Sequence, residues 1–243
     1  MHYTFNFLGL LPYWDLFLSG VERTLELTVF ATAFGLVIGT LCAIGKRSHA
    51  AVLRNVCGAY VEIIRNTPFI VQIFLLYFGL SSIGLRLPAM VAAVIAMVIN
   101  VGAYSAEIIR AGMDAIPHGQ IEAAECLGLS RPRVYWHVIL QPAAEKIYPA
   151  LTSQFILMML MSSIASQISV EELTAVANQI QSETFLSVET YIVVAAFYLI
   201  LAILLKLGFW LAGDLIFKRK RAIRNALRRQ SQQAKPLTYQ RGV

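Results

Sequence analysis

"LPAMVAAVIAMVINVGAYSA", residues 87–106, runs for twenty positions without an Asp, Glu, Lys or Arg. As a helix, about 20 apolar residues cross a bilayer core of roughly 30 Å. The stretches 27–45, 66–85 and 147–170 are equally free of charge, and 190–213 qualifies if Lys206 is tolerated. Of the 243 residues, 58% are hydrophobic and 14% are charged, against about 25% charged in soluble domains. The runs mix Leu, Ile, Val, Phe, Ala and Gly without strict alternation, which selects helices over a barrel. The chain therefore reads as an all-α integral membrane protein with about five transmembrane helices.

The positive-inside rule sets the predicted orientation. Nine of the 20 basic residues follow residue 217, and no acidic residue accompanies them. Segment 46–57 holds Lys46, Arg47 and Arg54, and 107–146 holds Arg110, Arg131, Arg133 and Lys146. The connection 169–189 instead carries Glu171, Glu172, Glu183 and Glu189 with no basic residue. Five spans satisfy this alternation with the N-terminus outside and the C-terminus inside. The segment 1–20 lacks a basic n-region and a convincing cleavage site, so it is expected to lie at the interface rather than serve as a signal peptide. A membrane domain then covers 21–215, and the basic tail 216–243 faces anionic headgroups rather than nucleic acid. Cys42, Cys57 and Cys126 show no metal or disulfide spacing and read as packing residues.

One polar piece interrupts this pattern: "GQIEAAECLGLSRPRV", 119–134. Gln120 to Leu127 are mostly helix formers, and Gly128 suits the position after a helix end. Ser130 is a good N-cap for a second helix, with Pro132 tolerated in its first turn. Ala123 and Ala124 carry no bulk, so a partner surface can approach closely, while Glu122 and Glu125 suit a helix N-terminus. A DNA-reading helix-turn-helix has a similar outline but needs a small packed bundle of its own, for which this loop is too short.

The stretch "GQIEAAECLGLSRPRVYWHVILQPA" (119–143) resembles the EAA loop of permease subunits in binding-protein-dependent ABC importers, through Glu122, Ala123, Ala124, Gly128 and Pro142. "YVEIIRNTPFIVQIFLLYFGL" (60–80), "AYSAEIIRAGMDAIPHGQ" (103–120) and "GVERTLELTVFATAFGLVIGTL" (20–41) resemble the polar amino acid branch. Two departures are Pro142, one place later than usual, and His118 in place of a more usual Lys. The resemblance implies a type I importer permease in a bacterial inner membrane. It also implies a cytosolic coupling loop, 113–146, in which Gln120, Glu122, Ala123, Ala124, Leu127 and Gly128 dock on a separate ATPase. Implied partners are a second permease, identical or homologous, two ATP-binding subunits that hold ATP and Mg, and an external substrate-binding protein. No cofactor is expected in this chain.

Polar groups within spans are costly and are functional candidates by default. Asn100, Tyr104 and Glu107 fall on one helical stripe, as do Ser162, Ser163, Ser166 and Gln167. Arg65 and Gln72 are seven apart, and Pro68 frees the carbonyl of Ile64. Neutral amides and hydroxyls suit transient binding of an amino acid zwitterion. Thr67, Gln72, Asn100, Tyr104, Ser162, Ser163 and Gln167 are therefore expected to line the path. Glu107 with Arg110, and Glu62 with Arg65, are expected as intrahelical ion pairs.

No catalytic or metal-binding constellation is evident. "GTLCAIGKR" (39–47) misses the P-loop by one residue of spacing, and Arg47 stands where Ser or Thr is required. The four histidines lie in terminal or cytosolic segments without carboxylates at ligand spacing. An autonomous secondary transporter or channel is the alternative, less supported because no inverted repeat is evident; a membrane-embedded enzyme is weaker still.

Overall fold

The structure is a computed structural model that describes residues 4–217. Most of the basic tail, 218–243, lies outside the described residues. A 3-10 turn, Phe7–Tyr13, leads into helix α1, Trp14–Lys46. Then follow α2, Ala51–Arg65, and α3, Phe69–Ser82. Helix α4 is Ala89–Asp114, and α5, His118–Cys126, is short. Helix α6, Arg131–Ile168, begins and ends irregularly. Helices α7, Leu173–Thr184, and α8, Ser187–Ile216, complete the chain.

The expected second span is broken. Helices α2 and α3 meet at 110°, with Asn66, Thr67 and Pro68 between them. The cause is local: Pro68 cannot donate, and the residue before a proline is pushed out of helical geometry. The bent pair still carries the chain across the bundle. Helices α1 and α4 finish at the same end, where Arg47 pairs with Asp114, so α2 and α3 must return the chain to where α4 begins. With α6 and α8 this gives five crossings, and the first and last helices run in one direction.

Helices α1 and α4 form the tightest pair. Gly35 and Gly39 let their backbones meet: a Cβ on Gly39 would lie 2.6 Å from Ser105 Cβ and 2.9 Å from the Gly102 carbonyl. In lipid, such small-residue contact supplies the dispersion and close packing that water cannot drive. Around this seam Leu27, Phe69, Ile73, Met97, Phe155 and Met158 form the main core. Helix α6 departs from regular geometry twice. A π-helical turn, Val134–Leu140, precedes Pro142, which has no N–H to give the preceding turn. Its last part, Ser162–Ile168, is 3-10, so the four polar residues expected on one α-helical face do not share one.

At the far end, Leu10, Phe17, Leu173, Ile180 and Val194 join α1, α7 and α8. Glu172 is fully buried there. Its Oε1 accepts from Ala175 N at 2.9 Å, capping α7, and its Oε2 accepts from Tyr198 Oη at 2.7 Å. Leu173 N donates to Thr24 Oγ1 on α1 at 3.3 Å. Burial pushes the Glu172 carboxyl above its ordinary value, partly opposed by these hydrogen bonds.

Two outcomes follow from this packing. Gly39→Val should force α1 from α4 and destabilise by about 1–3 kcal/mol. Gly58→Ala, with open space around it, should melt at or above the parent; detergent melting curves separate the two. A carboxyl raised in the fold stabilises while protonated. Its contribution is thus full below 4.5 and lost as pH rises through the raised folded value. The melting temperature should fall over that window more steeply in the parent than in Glu172→Gln.

Candidate functional site

The break between α2 and α3 gathers several of the expected path residues. Gln72 Nε2 donates to the freed carbonyl of Ile64 at 2.7 Å. It also lies 2.9 Å from Thr67 Oγ1 and 3.0 Å from the Thr67 carbonyl. Thr67 Oγ1 in turn donates to Ile63 O at 2.9 Å. Gln72 Oε1 accepts from Asn100 Nδ2 at 3.0 Å, which ties the break to the middle of α4. Asn100 is 2% exposed, and its Oδ1 is buried without a donor among the described residues. Beside the break a cavity of about 380 Å³ is lined by Ile64, Thr67, Gln72, Leu76, Ala96 and Ile99.

Two expectations fail here. Arg65 and Gln72 do not share a helix face, because the break separates them. The Glu62–Arg65 ion pair does not form: Glu62 Oε1 accepts from Asn66 Nδ2 at 3.0 Å. The Arg65 guanidinium instead stands 5.5 Å from the centre of the Tyr104 ring. Pro68 turns the chain after Arg65 and so separates Arg65 from Gln72, while inside α2 it is Asn66 at the helix end that occupies Glu62.

The α6 residues are placed differently. Ser162 Oγ donates to Met159 O at 2.6 Å, Ser163 Oγ to Leu160 O at 2.8 Å, and Ser166 Oγ to Ser163 O at 2.7 Å. Each hydroxyl proton is thus spent on local backbone, satisfying carbonyls that the change to 3-10 geometry redirects. Ser162 is fully buried, and Gln167 is exposed with Nε2 3.4 Å from Ser166 Oγ. Among the described residues, no hydrogen bond joins Ser162, Ser163 or Gln167 to the group at the break.

The polar loop folds as α5, a turn, and the start of α6. Gly128 sits at φ +75°, a left-handed conformation open to glycine. Ser130 occupies the N-cap position of α6, but its side chain makes no capping hydrogen bond. Gln120, Glu122, Ala123 and Gly128 are exposed, and Leu127 is 81% exposed. Ala124 faces its own chain at 6% exposure, so only Ala123 offers the open, bulk-free approach expected of the pair.

Sequence reasoning found the Glu107–Arg110 pair but not its extension. Glu107 accepts from Arg110 Nη2 at 2.5 Å and from Lys46 Nζ of α1 at 3.1 Å. Asp114 accepts from Arg110 Nη1 at 2.6 Å and from Arg47 Nη1 at 3.1 Å. Lys146 Nζ caps the end of α4 at the Ala115 carbonyl, 2.9 Å away. The C-terminal ends of α1 and α4 are thus stapled together directly before α5. In the sequence Lys46 and Arg47 mark orientation, and Arg47 argues against a P-loop, but nothing local pairs them with residues some sixty positions on.

Residues 35–222 match the family model of the binding-protein-dependent transport system inner membrane component. The chain belongs to this family. The permease is 35% identical over 196 residues to the L-cystine transport system permease protein TcyB of Bacillus subtilis (strain 168), across 80% of this chain and 84% of that one. It is 36% identical over 203 residues to the glutamine transport system permease protein GlnP of Escherichia coli (strain K12), across 83% and 93%. A crystal structure of an amino acid ABC transporter with histidines matches at a TM-score of 0.82 and 40% identity, over 87% of this chain and 99% of its own. The MetNI methionine ABC transporter, at 22% identity and a TM-score of 0.67, shares the fold. The expected fold class, an all-α permease of the type I importer kind with about five spans, is therefore found: four helices are long and apolar enough to cross, and the bent pair α2–α3 counted as one makes the fifth. So is the expected kinship with amino acid ABC permeases.

The permease should depend on Gln72 for the shape of its break. Gln72→Leu leaves the Ile64 carbonyl and the Asn100 amide unpartnered and should cost about 1–3 kcal/mol. Thr67→Val keeps the Gln72–Ile64 bond and should cost less. Unfolding in graded SDS, monitored by tryptophan fluorescence, ranks the two.

Proposed function

We propose that this permease is the membrane subunit of an ATP-driven importer for a polar amino acid, and that α5 receives the push of a separate ATPase. The observation that carries the reading is the form of α5. It projects at the stapled end of α1 and α4 and presents Glu122, Ala123 and the exposed apolar Leu127. An exposed leucine beside a small residue and an acid suits a protein groove better than water. The relatives named above serve cystine and glutamine transport, which supports an amino acid as cargo.

In this reading the basic end of the bundle lies in the cytosol, with the N-terminus outside and the C-terminus inside. Two ATP-binding subunits hold ATP and Mg and close on one another. The motion enters through α5, passes Ala115–Pro117 into α4, and reaches α1 through the Lys46–Glu107 and Arg47–Asp114 pairs. A second permease, identical or homologous, completes the path, because five crossings cannot easily enclose one alone. Thr67, Gln72, Asn100, Tyr104, Ser162, Ser163 and Gln167 line it. An external substrate-binding protein docks at the acidic face that the sequence puts around Glu171, Glu172 and Glu183. Glu172 is fully buried, so the exposed Glu171 and Glu183 present that face.

The test is co-purification. Tagged chain extracted in mild detergent should bring an ATPase with it. Glu122→Arg should elute as the same folded species with recovery of that ATPase reduced by roughly tenfold or more, equivalent to about 1.4 kcal/mol of docking energy. A parent chain that elutes folded and alone overturns the reading.

A further inference from the structure

Arg65 is the last residue of α2 and stands at the edge of the 110° break. Its depth follows from its neighbours. Gln72 bonds the carbonyl of Ile64, the residue just before it, and also bonds Asn100 in the middle of α4. Tyr104, one turn further along α4, lies beneath the guanidinium. The charge therefore stands against the central part of a spanning helix. None of the ion pairs among the described residues includes Arg65, and its side chain is exposed.

A cation at that depth is expensive and is kept where it meets a partner. The chemistry of the guanidinium defines what kind. Its charge lies 5.5 Å from the centre of the Tyr104 ring, a cation–π distance, and its N–H donors are not used by any carboxylate among the described residues. The edge of a guanidinium matches two oxygens of one carboxylate in a paired, parallel contact. A lone amide or hydroxyl would use one donor and leave the charge unanswered.

We propose that Arg65 is the carboxylate receptor of the transport path. It takes the α-carboxylate of the cargo in a bidentate pair, with the Tyr104 ring beside the guanidinium as a cation–π neighbour. Selection at this point acts on the backbone common to amino acids and leaves the side chain to be judged elsewhere. The assignment rests on the amino acid importer reading.

The experiment uses the permease purified with its ATPase partner in detergent, without the external binding protein, so that selectivity belongs to the membrane part alone. Equilibrium binding is measured for the standard amino acids and L-cystine, each against its methyl ester, which keeps the ammonium and removes the carboxylate charge. The parent should prefer at least one free acid over its ester by about tenfold or more, the scale of one charge-assisted bidentate contact. Arg65→Gln should bring that preference to within about twofold, and Arg65→Lys, which keeps the charge but not the fork, should fall between. Should Arg65→Gln not fold, an undiminished preference in Arg65→Lys overturns the assignment. A full preference retained in Arg65→Gln overturns it as well and leaves the importer reading standing. Dissociation of the two permease subunits in Arg65→Gln, with the preference intact, makes Arg65 an intersubunit contact instead. A parent complex that binds neither acids nor esters removes the amino acid reading and this assignment together.

Discussion

The hydrogen bond from Gln72 Nε2 to the carbonyl of Ile64 is the contact on which the rest of the permease turns. An irregular backbone inside a bilayer is tolerated only where its polar groups are satisfied from within the protein. Pro68 creates the deficit, and a side chain four residues later supplies the missing donor. The same amide group reaches Asn100 through its oxygen, so the bend is fixed against α4 as well as closed upon itself. A cavity, an arginine beside a tyrosine ring and a buried amide all collect at this place because a straight helix would have left no room for them.

The second constraint is the seam between α1 and α4. Glycines allow contact too close for side chains, and at one end of the seam five charges, Lys46, Arg47, Glu107, Arg110 and Asp114, answer one another. Close packing gives rigidity across the breadth of the contact, while the charges fix its end. A short helix follows directly there. The irregular start of α6 has the opposite character: a π-helical turn, Val134–Leu140, next to Pro142 is where a long helix bends most easily. A close-packed seam and a readily bent turn thus flank α5.

Much of this was legible in the residues. Charge-free runs located α4 and most of α1, α6 and α8, because lipid punishes charge over twenty consecutive positions. Gly128 marked the end of α5 through a backbone angle few other residues accept. The break at Pro68 was half visible: the freed carbonyl could be named, but its repair by Gln72 depends on three-dimensional closure. Glu62 and Arg65 do keep helical spacing in α2, but Asn66 at the helix end takes the Glu62 carboxylate and Arg65 lies against Tyr104, contacts that spacing alone does not reveal. The serines of α6 were placed on a common face by a 3.6-residue period that a 3-10 segment does not keep. Lys46 and Glu107, 61 residues apart, could be joined only by the folded bundle.

The two ends of the bundle are held by opposite kinds of polar chemistry. At one, Arg47 and Asp114 pair with side chains about half exposed, at 52% and 47%. At the other, Glu172 and Glu189 are fully buried. Dissolved salt screens the first and barely reaches the second, since exposed charges feel a Debye length of about 8 Å at physiological ionic strength while buried ones are shielded from it. Concentrated electrolyte therefore weakens the Arg47–Asp114 half of the staple more than its Lys46–Glu107 half, at 20% and 22% exposure, and leaves the far end intact. Part of the stiffness at one end of the permease is thus a property of the solution that bathes it.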